Sequence, residues 1–212
     1  MTFRALLLSQ ADKAVSSEIT ELDESQLPDG NVTVDVAYST LNYKDGMILN
    51  GVGRLVRDYP HVPGIDFSGV VSASNDDRYV EGDRVVLTGW RVGEAHWGGY
   101  AEKARVNADW LVKLPEGLSE LDAMSVGTAG LTSMLAMQSL EEQGVGSQPV
   151  LVTGAAGGVG SVAVHLLAQA GYEVAASTGR PETSEYLTQL GAKQIVSRQE
   201  LAELPSGPLS SE

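Results

Sequence analysis

The stretch VTGAAGGVGSV, Val152 to Val162, decides how the chain is read. Apolar runs flank it on both sides, PVLV before and VAVHLLA after. A glycine-rich turn that follows a strand and opens a helix is a dinucleotide-binding signature. Ala155-Ala156-Gly157-Gly158-Val159-Gly160 has the spacing of G-x-G-x-x-G, with Ala155 in the first slot. Small residues let the backbone approach a pyrophosphate, and the helix start offers unpaired N–H groups and the positive end of the helix dipole. Gly160 permits close packing of helix on strand.

The surroundings supply the context. From about residue 119 the pattern alternates: a strand PVLVTGA, a helix VGSVAVHLLAQAG stopped at Gly171, and a strand YEVAAST. A helix PETSEYLTQLG follows with Pro181 at its start, then a strand KQIVS and a helix beginning RQELAEL. Ser119 is the expected N-cap of the first helical stretch, with Asp122 completing its capping box. After Gly130, Leu131, Met134, Leu135 and Leu140 share one helical face. This is half of a doubly wound parallel sheet, so the Rossmann domain is expected to be only half present in this chain.

The second strand ends in Ser177-Thr178-Gly179-Arg180. An NAD site usually carries Asp or Glu there, for the ribose hydroxyls. Two hydroxyls, a glycine and a guanidinium suit a 2′-phosphate instead. Arg180 stands twenty positions after Gly160, and Arg198 follows the third strand. These residues point to NADPH.

The first half reads as β: FRALLLS, NVTVDVAYS, DFSGVVSAS, DRVVLTG and AEKARVN are short β-rich runs punctuated by Gly, Pro, Asn and Asp. Two domains are expected, 1–118 and 119–212. The chain has 212 residues and 42% of them are hydrophobic, which is ordinary for a globular protein. It carries a formal net charge of −14, which disfavours nucleic acid and anionic membranes as partners. No apolar run is long enough to span a bilayer, and no secretory signal opens the chain. It contains no cysteine, which removes disulfides and sulfur-based zinc sites and fits a cytoplasmic location.

The segments LNYKDGM, VPGIDFSG, VGEAHWGGYAE, GTAGLTSMLAM, VTGAAGGVGSVAVHLLA and STGR together resemble the medium-chain dehydrogenase/reductase superfamily. Most specifically they resemble its zinc-independent, quinone-oxidoreductase-like branch, the acrylyl-CoA reductases, and TGWRVGEAHWGGYAE is the most specific piece. The resemblance implies a GroES-like β domain before the Rossmann domain, and a homodimer for a full-length form. Zinc-dependent members carry an early cysteine and a GHE motif. Here those places read Asn42-Tyr43-Lys44-Asp45 and Gly64-Ile65-Asp66, so no catalytic metal is expected.

The resemblance further implies hydride transfer from NADPH to an acyl-CoA thioester with a conjugated double bond. It places Tyr43, at a strand end, beside nicotinamide and substrate. Asp66 and Arg84 read as a supporting pair in the same cleft or as a structural salt bridge, and Thr128, in GTAG at a helix start, as a neighbour of the nicotinamide amide or a bare N-cap. Arg54, Arg57 and Arg91 lie in loops and offer positive charge to acyl-CoA phosphates. Two other readings compete: an NADPH:quinone oxidoreductase of the same fold, and a non-catalytic truncated form.

Overall fold

The computed structural model describes residues 1–12, 14–146 and 148–202. The chain divides into two compact units, Met1–Thr128 and Ala129–Glu212.

The first unit opens with a hairpin of β1 (Thr2–Ala11) and β2 (Ala14–Asp23), paired antiparallel with Thr2 opposite Asp23. Phe3, Ala5 and Leu8 of β1 are buried, whereas β2 buries only Leu22 and leaves Ile19 exposed. The segment AVSSEITELD lacks an apolar alternation, so its pairing is dictated by β1. A five-stranded antiparallel sheet follows, made of β3 (Val32–Ser39), β4 (Asp66–Ser74), β5 (Arg84–Thr88), β6 (Lys103–Val106) and β7 (Val112–Lys113). Its order is β6-β3-β4-β5-β7. Alternate residues of these strands meet in a core around Val32, Val34, Phe67, Val71, Val85 and Leu87. Between β3 and β4 the chain forms a short helix, α1 (Tyr43–Leu49).

Two motifs that stood out in the sequence lie against each other. The amide of Gly98 donates to the Val62 carbonyl at 2.7 Å, and that of Tyr100 to the Pro63 carbonyl at 2.9 Å. A Cβ on Gly98 would lie 2.6 Å from the Pro63 oxygen, and one on Gly99 would lie 2.6 Å from the Asp66 oxygen. Two backbones pack here with no room for side chains, which is why HWGGY and VPGID have their glycines. His61 is buried beside them, its Nε2 at 2.8 Å from the Gly93 carbonyl.

The second unit carries a parallel three-stranded sheet of β8 (Val150–Val152), β9 (Val174–Thr178) and β10 (Gln194–Ser197), in the order β10-β9-β8. Its helices are α3 (Gly158–Gln169), α4 (Ser184–Gln189) and α5 (Arg198–Ala202), with a 3-10 turn Pro181–Thr183 leading into α4. Val150, Val152, Val164, Leu167, Val174 and Leu187 form the core of this unit. The alternation of strand and helix is the one expected from the sequence.

The boundary region differs from expectation. The helical stretch α2 (Glu120–Glu142) begins well before Gly130 and consists of two helices that meet at the non-helical backbone of Gly127. Ser119 and Asp122 exchange capping hydrogen bonds at its start, as expected. The division between units thus falls inside α2, and packing extends the first unit to Thr128. Met137 and Leu140 pack on the second core, but Leu131, Met134 and Leu135 are exposed. Leu151 of β8 is exposed as well, and β8 is an edge strand among the described residues.

Phe67→Ala removes a fully buried ring at the centre of the first core. It should cost about 3–5 kcal/mol in urea denaturation. A second test concerns pH. Burial pushes the His61 imidazole below its ordinary pKa of 6.5, against the opposing pull of the Gly93 carbonyl. The unfolded chain therefore binds that proton more readily than the folded one. The stability contribution is complete above the ordinary value and declines as pH falls from there toward the lowered value. His61→Gln should flatten that part of the stability curve, read from urea midpoints at about pH 7 and about pH 5.

Candidate functional site

The glycine turn occupies the link between β8 and α3. Gly154 has a left-handed backbone, φ 60°, which starts the turn directly after the strand. Gly157 is the N-cap of α3, and no side chain caps the helix there. The first N–H groups of a twelve-residue helix are thereby left for a ligand. Gly160 lies so close to the turn that a Cβ would sit 2.7 Å from the Cα of Ala155. Ala155 is fully buried, and its amide donates to the Ser177 carbonyl at 3.1 Å, tying the turn to the end of β9.

A cavity of about 570 Å³ lies over this turn. The turn residues Ala156 and Gly157 bound it on one side, and Ser177, Thr178, Gly179 and Arg180 on the other. Arg198 closes the rim: a Cβ on Gly179 would lie 3.4 Å from its Cδ. The Arg180 guanidinium reaches across and donates to the Ala156 carbonyl at 3.0 Å. That contact uses one of its five N–H donors. The Thr178 hydroxyl accepts from the Arg180 amide at 3.1 Å, which shapes the backbone on which the arginine is mounted. Among the described residues none that lines the cavity is acidic, in a chain of net charge −14, and two guanidiniums face it.

Seven expected cofactor residues thus bound one cavity: Ala156, Gly157, Ser177, Thr178, Gly179, Arg180 and Arg198. Gly158, Val159 and Gly160 form the first turn of α3, and Ala155 supports the turn from beneath. Thr153, Gly154 and Leu201 also line the cavity and were not singled out in the sequence. Gly154 had a visible signal, since a glycine directly after an apolar run marks a positive φ.

The residues expected in the first unit are arranged differently. Asp66 and Arg84 do not pair. The Arg84 guanidinium binds Glu120 at 2.6 Å and also the Leu118 carbonyl. Asp66 is fully buried and accepts from the Thr40 hydroxyl at 2.7 Å, the Asn42 amide at 3.2 Å and the Thr128 amide at 3.0 Å. The Thr128 hydroxyl, expected to face a nicotinamide, donates to the same carboxylate at 2.5 Å. β4 and β5 are neighbours, but Arg84 lies opposite Val70, far along the ladder from Asp66 opposite Thr88.

Asp45 is a second fully buried carboxylate nearby. It accepts from the backbone of Asn42 at 2.9 Å and of Ile65 at 3.1 Å. Burial raises the Tyr100 phenol above its ordinary range, and the charge of Asp45 adds to the effect. Asn42 spans both carboxylates and forms the N-cap of α1. The next residue is Tyr43, in the first turn of that helix and not at a strand end, with 88% of its surface exposed. Capping by Asn42 and Asp45 is what converts LNYKDGM into a helix; the N-x-x-D spacing was its only sequence signal.

These contacts also bear on zinc. The carboxylate of Asp66 is saturated by four donors from Thr40, Asn42 and Thr128, and Ile65 packs in an apolar cluster. Among the described residues no three His, Cys, Asp or Glu side chains are grouped to hold a metal ion. His96 contacts the Arg105 carbonyl and the edge of Trp110, and His165 is exposed on α3. The donor set of a zinc enzyme does not fit this chain.

Asp66→Ala should destabilise the protein by on the order of 3–5 kcal/mol, because several buried donors lose their acceptor. Arg84→Ala should lose little by comparison, and the double variant should show no coupling between the two positions in a denaturation cycle.

Comparison with known proteins agrees with this architecture. Residues 28–116 match the alcohol dehydrogenase GroES-like domain family. The acrylyl-CoA reductase AcuI of Ruegeria pomeroyi is 60% identical over 99% of this chain. The yhdH oxidoreductase of Salmonella enterica, solved in complex with NADP, superimposes with a TM-score of 0.93 at 54% identity over 97% of this chain. The Bacillus subtilis protein yhfP, solved with NAD bound, superimposes with a TM-score of 0.90 at 44% identity over 94% of this chain. The chain spans 65%, 63% and 61% of the length of these three relatives. Residues 28–116 thus carry an alcohol dehydrogenase GroES-like domain, and over nearly its whole length the chain is similar to acrylyl-CoA reductase and quinone-oxidoreductase-like proteins.

Proposed function

We propose that this protein is an NADPH-dependent reductase of the carbon–carbon double bond of acrylyl-CoA or a close 2-enoyl-CoA, giving propionyl-CoA without a metal. The observation that carries the reading is the single cavity bounded by the glycine turn, the Ser177–Arg180 segment and Arg198. The amides at the start of α3 would hold the pyrophosphate, and Arg180 and Arg198 the 2′-phosphate. When bound, NADPH supplies a hydride for the β-carbon of the thioester.

The chain's own residues then deal with charge and protons. Negative charge develops on the thioester oxygen, where an aimed donor lowers the barrier, and the α-carbon then takes a proton from an acid or water to complete the saturated thioester. Tyr43 is the proposed donor: its phenol is free in solvent, and its helix is anchored by the Asn42 cap. Asp66 is assigned a positioning role through Asn42 and Thr128, and Arg84 a structural one on Glu120. No helix among the described residues is long and apolar enough to cross a membrane. A cytoplasmic site of action and a homodimeric full-length form accompany this reading.

A quinone oxidoreductase would use the same nucleotide contacts, and relative turnover of acrylyl-CoA and a simple quinone under NADPH separates the two. The relative with NAD bound makes cofactor choice the sharper test. Arg180→Ala should weaken NADPH binding by about 1.5–3 kcal/mol and NADH binding far less, measured by calorimetric titration of the 212-residue chain. Equal losses for both cofactors would remove the 2′-phosphate assignment. A chain with no NADPH-induced rise in melting temperature would instead favour the non-catalytic reading.

A further inference from the structure

A second cavity, of about 650 Å³, opens in the first unit beside the C-terminal end of α1. Its volume lies in the range of small-molecule sites. Ile48 and Val56, both buried, give it an apolar floor, and Gln10 and Tyr59 add polar tips to the wall. Arg54 and Arg57 complete the lining, and both side chains are exposed.

The other arginines of the first unit are engaged by neighbouring oxygens, Arg105 by the Thr33 hydroxyl and the Glu24 carbonyl. Arg4 is held by Glu102, Arg78 by Asp76 and Asp109, Arg84 by Glu120, and Arg91 lies 3.7 Å from Glu94. Among the described residues, neither Arg54 nor Arg57 has a carboxylate within ion-pair distance. Arg91, expected to join them, is engaged in its own loop and is absent from the cavity lining. Two uncompensated guanidiniums at one cavity, in a chain of net charge −14, form a local anion site. Arg54 also holds a left-handed backbone, φ 49°, directly after Gly53 at 76° and three residues after Gly51 at 64°. Glycine would occupy that position more easily, so the side chain is what arginine contributes there.

The lining asks for a ligand with phosphates for the guanidiniums and a flat or apolar body for the floor. We propose that this cavity takes the phosphorylated nucleotide end of the coenzyme A thioester, with Arg54 and Arg57 on its phosphates. The assignment rests on the enoyl-thioester reading above. Tyr43 and Ile48 lie on the same short helix, about 7–8 Å apart along its axis. The extended pantetheine arm is longer than this spacing, so a bound thioester has to fold back over the helix to join a reactive end at Tyr43 to phosphates at the cavity. NADPH also carries nucleotide phosphates, so the test keeps the two sources separate.

The experiment titrates the 212-residue chain with coenzyme A, 3′-dephospho-coenzyme A, pantetheine and, separately, NADPH, by calorimetry at low salt. Coenzyme A should bind more tightly than pantetheine. Arg54→Gly, which keeps the left-handed turn unstrained, and Arg57→Ala should each weaken coenzyme A binding about ten-fold or more, as loss of a charge-assisted contact does. Pantetheine and NADPH affinities should stay unchanged. Arg57→Gln, which keeps the stem without the charge, replaces Arg57→Ala if that variant loses its cooperative melt.

Coenzyme A binding no tighter than pantetheine, or unaltered in the variants, would overturn the proposal while leaving an NADPH reductase intact. A matching loss of NADPH affinity would assign the cavity to the other nucleotide and equally overturn it. If the variants lose coenzyme A but the chain shows no NADPH-dependent turnover of acrylyl-CoA, the cavity assignment holds and the reductase reading fails.

Discussion

The carboxylate of Asp66 has no access to water, and much of the first unit is arranged around that fact. Burying an ionised carboxylate costs several kcal/mol unless hydrogen bonds replace its hydration. Here Thr40, Asn42 and Thr128 supply them, from the end of β3, the cap of α1 and the point where α2 resumes after Gly127. One anion thus fixes the mutual placement of three chain segments. The exposed Tyr43 is linked to it through Asn42, whose backbone N–H donates to Asp45 at the start of α1 while its side-chain Nδ2 donates to Asp66.

The second unit solves a different problem. Its site is built from absences: no Cβ on Gly157 or Gly160, no side-chain cap on α3 and, among the described residues, no carboxylate on the rim. What remains is backbone N–H and two guanidiniums. Arg180 is mounted on a turn that Thr178 holds by its hydroxyl, and its donation to the Ala156 carbonyl links the two walls of the cavity. Such a surface is selective by charge and shape together, and the acidity of the rest of the chain sharpens the contrast.

The paired glycines of HWGGY and VPGID connect the two kinds of argument. In the sequence they were conspicuous only as a likeness to a family. In the fold they are a backbone-on-backbone seam that carries Tyr100 and the start of β4 into place beside Asp45 and Asp66. Residues with no chemistry of their own thereby determine where the buried carboxylates lie.

Local rules sufficed wherever structure follows from adjacent residues. The glycine turn, the strand–helix alternation after residue 119, the Ser119 cap and the arginine after β9 all act within a few positions of themselves, and all were legible. Contacts between distant segments were not. Nothing near Arg84 says that its partner is Glu120 rather than Asp66, because the partner depends on how far along the β4–β5 ladder each residue sits. Nothing in AVSSEITELD says strand until β1 supplies the hydrogen bonds. Tyr43 became helical, and the Thr128 hydroxyl donates to Asp66, for one reason: buried acceptors must find donors wherever the packed chain brings them, and sequence separation does not enter that requirement.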